Sequence, residues 1–190
     1  MTARRLYIVR HGQTESSMRM IYSGQTDVAL TETGRSQARN AGEQLSGIGV
    51  DAIISSPLSR ALDTAVTIGK ATGVDVRVDD RLIEVDYGAF EGLDRPQARE
   101  RFGDAFEAWR NDPFGATIPG TEQLGDALVR ARAATEDALE SAQLPVLVGH
   151  QGILRIVLIA LGRLAPEDYF KQRLTEATPI AIDDPQIADH

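Results

Sequence analysis

The apolar positions fall into short runs separated by polar stretches of helical period. Leu6-Tyr7-Ile8-Val9 is rich in β-formers and has the pattern of a strand buried on both faces. Thr31 then precedes Glu32 to Leu45, a stretch of helix formers closed by Gly47 and Gly49, so a first helix is predicted there. Ala52 to Ser55 reads as a second strand. Pro57 opens a helix with apolar residues at Leu58, Ala61, Ala65 and Ile68, and Gly73 stops it. Val74 to Val78 is a third strand. From Arg81 to Gly120 the chain carries Pro96, Pro113 and Pro119 among five glycines, which predicts loops around short helices that form a lid or cap over a site. Leu124, Leu128, Ala131, Thr135, Ala138 and Ala142 recur at helical spacing within Glu122 to Ala142, a core-facing stripe. Val146 to Val148 is the next strand and Ile153 to Leu161 a buried helix. Pro166 to Leu174 is predicted as a last short helix and Pro179 to Ile182 as an edge strand.

Strands that alternate with helices predict an α/β fold: a three-layer α/β/α sandwich with a mainly parallel central sheet and a small cap over the carboxyl ends of the strands. A chain of 190 residues fits one domain, residues 1–190, with 81–120 as the cap insertion. Ligands in such sheets bind beyond the carboxyl ends of strands. Arg10-His11-Gly12 and Gly149-His150-Gln151-Gly152 both follow predicted strands there.

Composition narrows the chemistry. There is no cysteine and there are three histidines, His11, His150 and His190, which removes thiolate nucleophiles and sulfur-based zinc sites and disfavours metal sites built on several imidazoles. No metal and no cofactor is predicted. The net charge of −8 opposes binding to nucleic acid or to an anionic membrane surface, while a small anionic substrate remains open wherever arginines converge. The run after Met1 to Arg5 is too short for a signal peptide or a membrane span, so a cytoplasmic protein is expected. A homo-oligomer is left open. Gly47-Ile48-Gly49-Val50-Asp51-Ala52 mimics a dinucleotide fingerprint but lies between a helix and a strand, the reverse of the required order.

Two histidines that each end a buried strand need more than packing to explain them, and an arginine beside one of them needs an anion. Arg10-His11-Gly12-Gln13-Thr14 resembles the diagnostic motif of the histidine phosphatase superfamily, which includes the phosphoglycerate mutases. Ser55 to Ala61 with Thr64-Ala65 is similar to its second-arginine block, and Leu82-Ile83-Glu84 with Tyr87-Gly88 and Phe90-Glu91-Gly92 to its acid block. Pro119-Gly120 stands before the long helix as in the family, and Val148 to Gly152 is similar to the second-histidine block.

The resemblance implies a small phosphorylated substrate and assigns His11 as the nucleophile, transiently phosphorylated. A neutral imidazole has the free lone pair that this role needs. Arg10, Arg60 and His150 would then hold the phosphoryl oxygens, and Glu84 would serve as proton donor and later as base, a role that calls for burial against the nearby arginines. Thr14, Ser17, Ser23, Gly24 and Gln151 are the implied phosphate or substrate contacts. Ser17 departs from the family, which usually has asparagine there, and Ser16 stands where a bulky residue is usual. Tyr22, Phe90, Phe106 and Trp109 are candidates to line a pocket.

Mutases of the family carry arginine after the catalytic glutamate and two arginines in their cap. Here Val85 and Trp109-Arg110-Asn111 stand instead, so the mutase clamp is incomplete and net hydrolysis is the preferred reading. Phosphoglycerate mutase-type transfer is the first alternative and a non-catalytic phosphate-binding protein the second. Among phosphatases, Tyr22-Ser23-Gly24 and Ala181-Ile182-Asp183 are most similar to α-ribazole phosphatase-type members, and sugar phosphates remain open.

Overall fold

The computed structural model describes residues 5–116, 118, 120–183 and 185–187; the expected features at Pro119 and His190 lie outside them. Five strands, β1 (Arg5–Arg10), β2 (Ala52–Ser55), β3 (Val76–Val78), β4 (Pro145–Gly149) and β5 (Ile180–Asp183), form one sheet in the order β3-β2-β4-β1-β5. The first four are parallel, and β5 runs antiparallel to β1 at the edge. The helices are α1 (Glu15–Met18), α2 (Glu32–Leu45), α3 (Ser59–Thr72), α4 (Arg95–Asn111), α5 (Leu124–Ser141) and α6 (Gln151–Ala160).

Strand alternation sorts the layers. Tyr7, Val9, Ile53, Val146 and Val148 pack on one face against Ala41 and Leu45 of α2 and Ala61, Ala65 and Ile68 of α3. Leu6, Ile8, Ile54 and Leu147 pack on the other against α5 and α6. Ala127, Ala131, Ala134 and Ala138 of α5 are fully buried, and such small side chains let that helix approach closely. Ile153, Leu154, Ile156, Val157 and Ile159 of α6 are equally buried, each worth roughly 1.5–3 kcal/mol. The helix that follows His150 is therefore among the most firmly anchored.

Two elements differ from expectation and one agrees with it. α4 is two short helical segments that meet at a kink at Gly103, φ 50°, as expected for the 81–120 stretch; Asp94 and Gln97 form a reciprocal capping box and Pro96 sits in the first turn, where no N–H is needed. The expected helix from Pro166 to Leu174 is only a 3-10 turn, Pro166–Asp168. Beyond it the carbonyls of Gln172 and Leu174 accept from the side chains of Arg155, Gln151 and Arg10 instead of from a helical backbone. α6 starts two residues early, which makes His150 its N-cap. Among the described residues no helix is long and apolar enough to cross a membrane.

Candidate active site

Register brings the motifs together. Arg10 pairs with Gly149 and Ser55 with Val148, so His11, Ser56 and His150 leave the sheet at one height on three neighbouring strands. The backbone N–H of His11 donates to Gly149 O at 2.9 Å and that of Ser56 to Val148 O at 3.0 Å. The rings of His11 and His150 lie 5.2 Å apart, tilted by 56°.

Their partners fix both tautomers. His11 Nδ1 lies 2.7 Å from Gly12 O, a carbonyl that can only accept, so Nδ1 carries the hydrogen and Nε2 the lone pair. Burial, then the charges of Arg10 and Arg60, hold this imidazole well below its usual 6.5, so it is neutral at pH 7. At His150, Arg60 Nε donates to Nδ1 at 3.1 Å, which leaves the hydrogen on Nε2 to donate to Ser56 Oγ at 2.7 Å. Burial first, then Arg60, His11 and Arg10, push this ring down as well.

Arg60 is 1% exposed. Besides His150 it holds two carbonyls, Gly24 O at 2.7 Å and Thr26 O at 2.9 Å, and two of its five N–H groups remain unused by these bonds. Glu91 fastens that loop from behind: one oxygen accepts Gln25 N–H at 2.9 Å and the other accepts the N–H of Thr26 at 3.0 Å and its hydroxyl at 2.5 Å. Gly24, at φ 47°, leaves room for this carboxylate, since a Cβ would overlap it. Thr64 joins the two arginine motifs, accepting from Gly12 N at 3.1 Å and donating to Arg60 O at 2.7 Å. Arg10 donates to Leu174 O at 3.0 Å and Gln151 Oε1 at 3.3 Å and lies 3.7 Å from Glu176. Among the described residues its buried Nε has no hydrogen-bond partner.

Glu84 is buried, and the first turn of α6 cages it. Oε1 accepts from Val85 N at 2.9 Å and Ile153 N at 2.8 Å, and Oε2 from Gly152 N at 3.0 Å. A carboxylate at a helix N-terminus also meets the positive end of the helix dipole. Gly152 makes the approach possible: a Cβ there would lie 2.5 Å from Tyr87 Oη, 2.6 Å from Glu84 Oε1 and 2.9 Å from Tyr169 Oη. The two hydroxyls are 3.5 Å apart, and burial, then the charge of Glu84, raises both phenols above their ordinary range, so both stay protonated.

Residues 6–186 match the model of the histidine phosphatase superfamily (branch 1). The chain belongs to this superfamily. A Mycobacterium tuberculosis protein described as bifunctional is 40% identical over 158 residues, 83% of this chain and 41% of its own, so the chain spans about two fifths of the length of the first relatives it matches. The glucosyl-3-phosphoglycerate phosphatase of Mycobacterium tuberculosis is 39% identical over 173 residues, 86% of this chain and 78% of its own. A mycobacterial glucosyl-3-phosphoglycerate phosphatase solved with VO3 superposes with a TM-score of 0.85 at 35% identity, covering 94% of this chain and 90% of that one. A 2,3-bisphosphoglycerate-dependent phosphoglycerate mutase of Nitrobacter winogradskyi is 33% identical over 190 residues, 95% of this chain and 91% of its own.

In this member of the histidine phosphatase superfamily the motif residues border a cavity of about 500 Å³, lined by Arg10, His11, Arg60 and Glu84, while His150 is wholly buried behind them. Thr14, Ser17, Ser23, Gly24 and Gln151 all line it. The hydroxyls of Thr14 and Ser17, however, are tied to each other's backbone: Ser17 Oγ accepts from Thr14 N at 2.9 Å and Thr14 Oγ1 from Ser17 N at 3.1 Å, which caps α1. The Gln151 side chain holds the 172–174 segment, accepting from Leu174 N and donating to Gln172 O. Of the four aromatics expected at the pocket only Tyr22 lines it; Phe90, Phe106 and Trp109 pack on one another in the core, with ring centroids 5.3–6.1 Å apart.

Sequence reasoning missed a wall of cations. Arg95, Arg155, Lys171 and Arg173 join Arg110 on the cavity, although none belongs to a motif block. Arg155 had a signal, since it lies four residues after Gln151 on the same face of a helix. Among the described residues no group of three or more His, Asp or Glu side chains could hold a metal ion.

Proposed function

We propose that the protein is a metal-independent phosphomonoesterase, acting in the cytoplasm on a small phosphorylated metabolite through a phosphohistidine at His11. The observation that carries the reading is the tautomer of His11: Nδ1 is bound to Gly12 O and burial keeps the ring neutral, so Nε2 brings a lone pair to a cavity walled by cations. Nε2 attacks phosphorus, the bond from phosphorus to the leaving oxygen breaks, and the departing alkoxide takes from Glu84 the proton that this carboxylate receives from the incoming phosphate monoanion. Water then attacks the phosphohistidine and gives its proton back to the Glu84 carboxylate, and inorganic phosphate leaves as the N–P bond breaks. Arg10 and Arg60 stabilise the charge on the equatorial oxygens with their remaining N–H groups, and His150 shapes that site by fixing Arg60 Nε. Gly24, Ser23 and the backbone of Gln151 border the substrate, a sugar-derived phosphate by likeness to the glucosyl-3-phosphoglycerate phosphatase or a ribazole-like one by the motifs Tyr22-Ser23-Gly24 and Ala181-Ile182-Asp183. The cysteine-free composition suits a reducing compartment.

Hydrolysis of p-nitrophenyl phosphate, measured with and without a chelator, tests this. Activity that survives the chelator and is lost in His11→Ala is the expected result. Undiminished turnover in His11→Ala would overturn the nucleophile, and loss with the chelator would overturn metal independence. Net formation of 2-phosphoglycerate from 3-phosphoglycerate would favour the mutase reading, to which the cations around the cavity give some support.

A further inference from the structure

The stretch that carries Glu84 has no helix or strand of its own. After the 3-10 turn Asp80–Leu82 the chain runs irregularly through residues 83–87, so its carbonyl and N–H groups must find partners outside any regular ladder. One side chain supplies most of them. Arg130, on α5, donates from Nη1 to Arg81 O and to Ile83 O, each at 2.7 Å, and from Nη2 to Glu84 O at 3.4 Å. Its Nε and Nη2 also grip the two carboxylate oxygens of Glu122, at 2.6 and 2.8 Å. Every N–H of the guanidinium is thereby engaged. Glu122 holds the far end of the same stretch: Oε2 accepts from Asp86 N at 3.2 Å, and the Glu122 N–H donates to Asp86 O at 2.9 Å.

Neither Arg130 nor Glu122 is among the residues that line the cavity. Their side chains are only 18% and 17% exposed, and a two-pronged arginine–carboxylate pair with its remaining donors on carbonyls tolerates little displacement. The helix behind them is firm, since Ala127, Ala131 and Ala134 bury its other face completely. By contrast, Arg132 with Glu136 on the same helix is an ordinary surface pair. Glu84 is thus held at both ends: Gly152 and Ile153 take its carboxylate, and Arg130 takes its main chain. A glutamate caged at the tip alone would pull its carboxylate out of line whenever its backbone moved. Gln25 Nε2, from the loop that Arg60 grips, donates to the same Glu84 O at 3.3 Å.

From this we infer that Arg130, locked by Glu122, is a positioning residue: without touching the substrate it sets where the Glu84 carboxyl group stands relative to the leaving oxygen, which rests on the phosphatase reading in which Glu84 passes the proton. The role needs the planar fork and not the charge alone. A lysine would bring three donors on one nitrogen to acceptors that are spread over three carbonyls and a carboxylate.

Two esters test it: glycerol 3-phosphate, whose alkoxide must be protonated as it leaves, and p-nitrophenyl phosphate, whose leaving group needs little help. In Arg130→Gln, kcat on glycerol 3-phosphate should fall about 100-fold, the cost of a reacting group misplaced by about 1 Å, and kcat on p-nitrophenyl phosphate by less than about tenfold, with KM on both within about twofold. Arg130→Lys should lose nearly as much, and Glu122→Gln, a milder change, should move the ratio of the two esters in the same direction. Arg132→Gln, which removes a charge from the same helix, should leave that ratio at the wild-type value. A loss of folded protein alone would lower both esters alike. Equal falls on both, or a wild-type ratio in folded Arg130→Gln and Glu122→Gln, overturn the inference while the phosphatase stands; if Arg130→Gln does not fold, Glu122→Gln decides. If the wild type cleaves neither ester, the phosphatase reading falls. Amide hydrogen exchange then decides the clamp, as it does if p-nitrophenyl phosphate alone is cleaved. The N–H groups of Gly152 and Ile153, which the Glu84 carboxylate accepts, should exchange about tenfold faster or more in Glu122→Gln while those of α2 keep their wild-type rates, and unchanged rates at both overturn it.

Discussion

Gly152→Ala adds one methyl group where there is room for none. The new Cβ would meet Tyr87 Oη at 2.5 Å, Glu84 Oε1 at 2.6 Å and Tyr169 Oη at 2.9 Å. Ordinary contact requires Glu84 to retreat by about 0.8 Å, and it cannot do so freely, because three N–H groups hold it. A misplacement of about 1 Å in a reacting group costs roughly 100-fold in rate, so kcat/KM on an alkyl phosphate should fall by about that factor. The fall should be smaller on p-nitrophenyl phosphate, whose leaving group needs little protonation. Crowding of this kind costs about 1–3 kcal/mol, and melting followed by circular dichroism should drop by roughly 3–10 °C. Adding Tyr87→Phe removes the nearest oxygen but leaves the conflict at Glu84, so the double variant should regain stability more than rate. Wild-type kcat/KM on the alkyl phosphate in a folded Gly152→Ala protein would refute the assignment of Glu84, as would equal losses on both substrates.

Other consequences can be measured directly. Arg60→Lys replaces a fork that meets His150, Gly24 and Thr26 with a point charge; kcat should fall about 100-fold or more, and a loss under threefold would contradict the role given to the fork. Glu91→Gln leaves fewer acceptors for three donors behind the Gly24–Thr26 loop, and kcat/KM should drop about tenfold as Arg60 loses its brace; unchanged kinetics would count against that chain of contacts. His11 and His150 both titrate well below 6.5 in the fold, so above that pH neither state of the chain differs in their protons. Below it the unfolded chain takes up protons that the folded rings refuse, and stability should fall by up to about 1.4 kcal/mol per pH unit for each ring until their folded values are reached. A melting temperature that stays level from pH 7 to about pH 5.5 would contradict this.

The strands were legible because burial on both faces leaves a plain mark: Leu6 to Val9 is apolar throughout, and β4 is buried along its whole length. Arg10, His11, Arg60, Glu84 and His150 were legible because each sits in a local block with its own glycines and prolines. The segment after Asp168 was not, because its shape comes from distant side chains: Arg155, Gln151 and Arg10 take the carbonyls that a helix would have used. Phe90 and Trp109 misled for a related reason, since residue type cannot distinguish a ring at a pocket from one just behind it. The cationic wall escaped because its members are scattered from Arg95 to Arg173 and meet only after folding.

Arg10 belongs to two structures at once. It stands beside His11, the proposed nucleophile, and it also anchors the 174–176 stretch through Leu174 O and Glu176. Exchange of residues 169–176 would therefore be an obvious route to retarget the pocket, since Phe170, Lys171 and Arg173 come from there. Any such graft must keep an acceptor at 174 and a carboxylate at 176. Without them the chimera would lose turnover on every substrate, old or new, rather than gain a new preference.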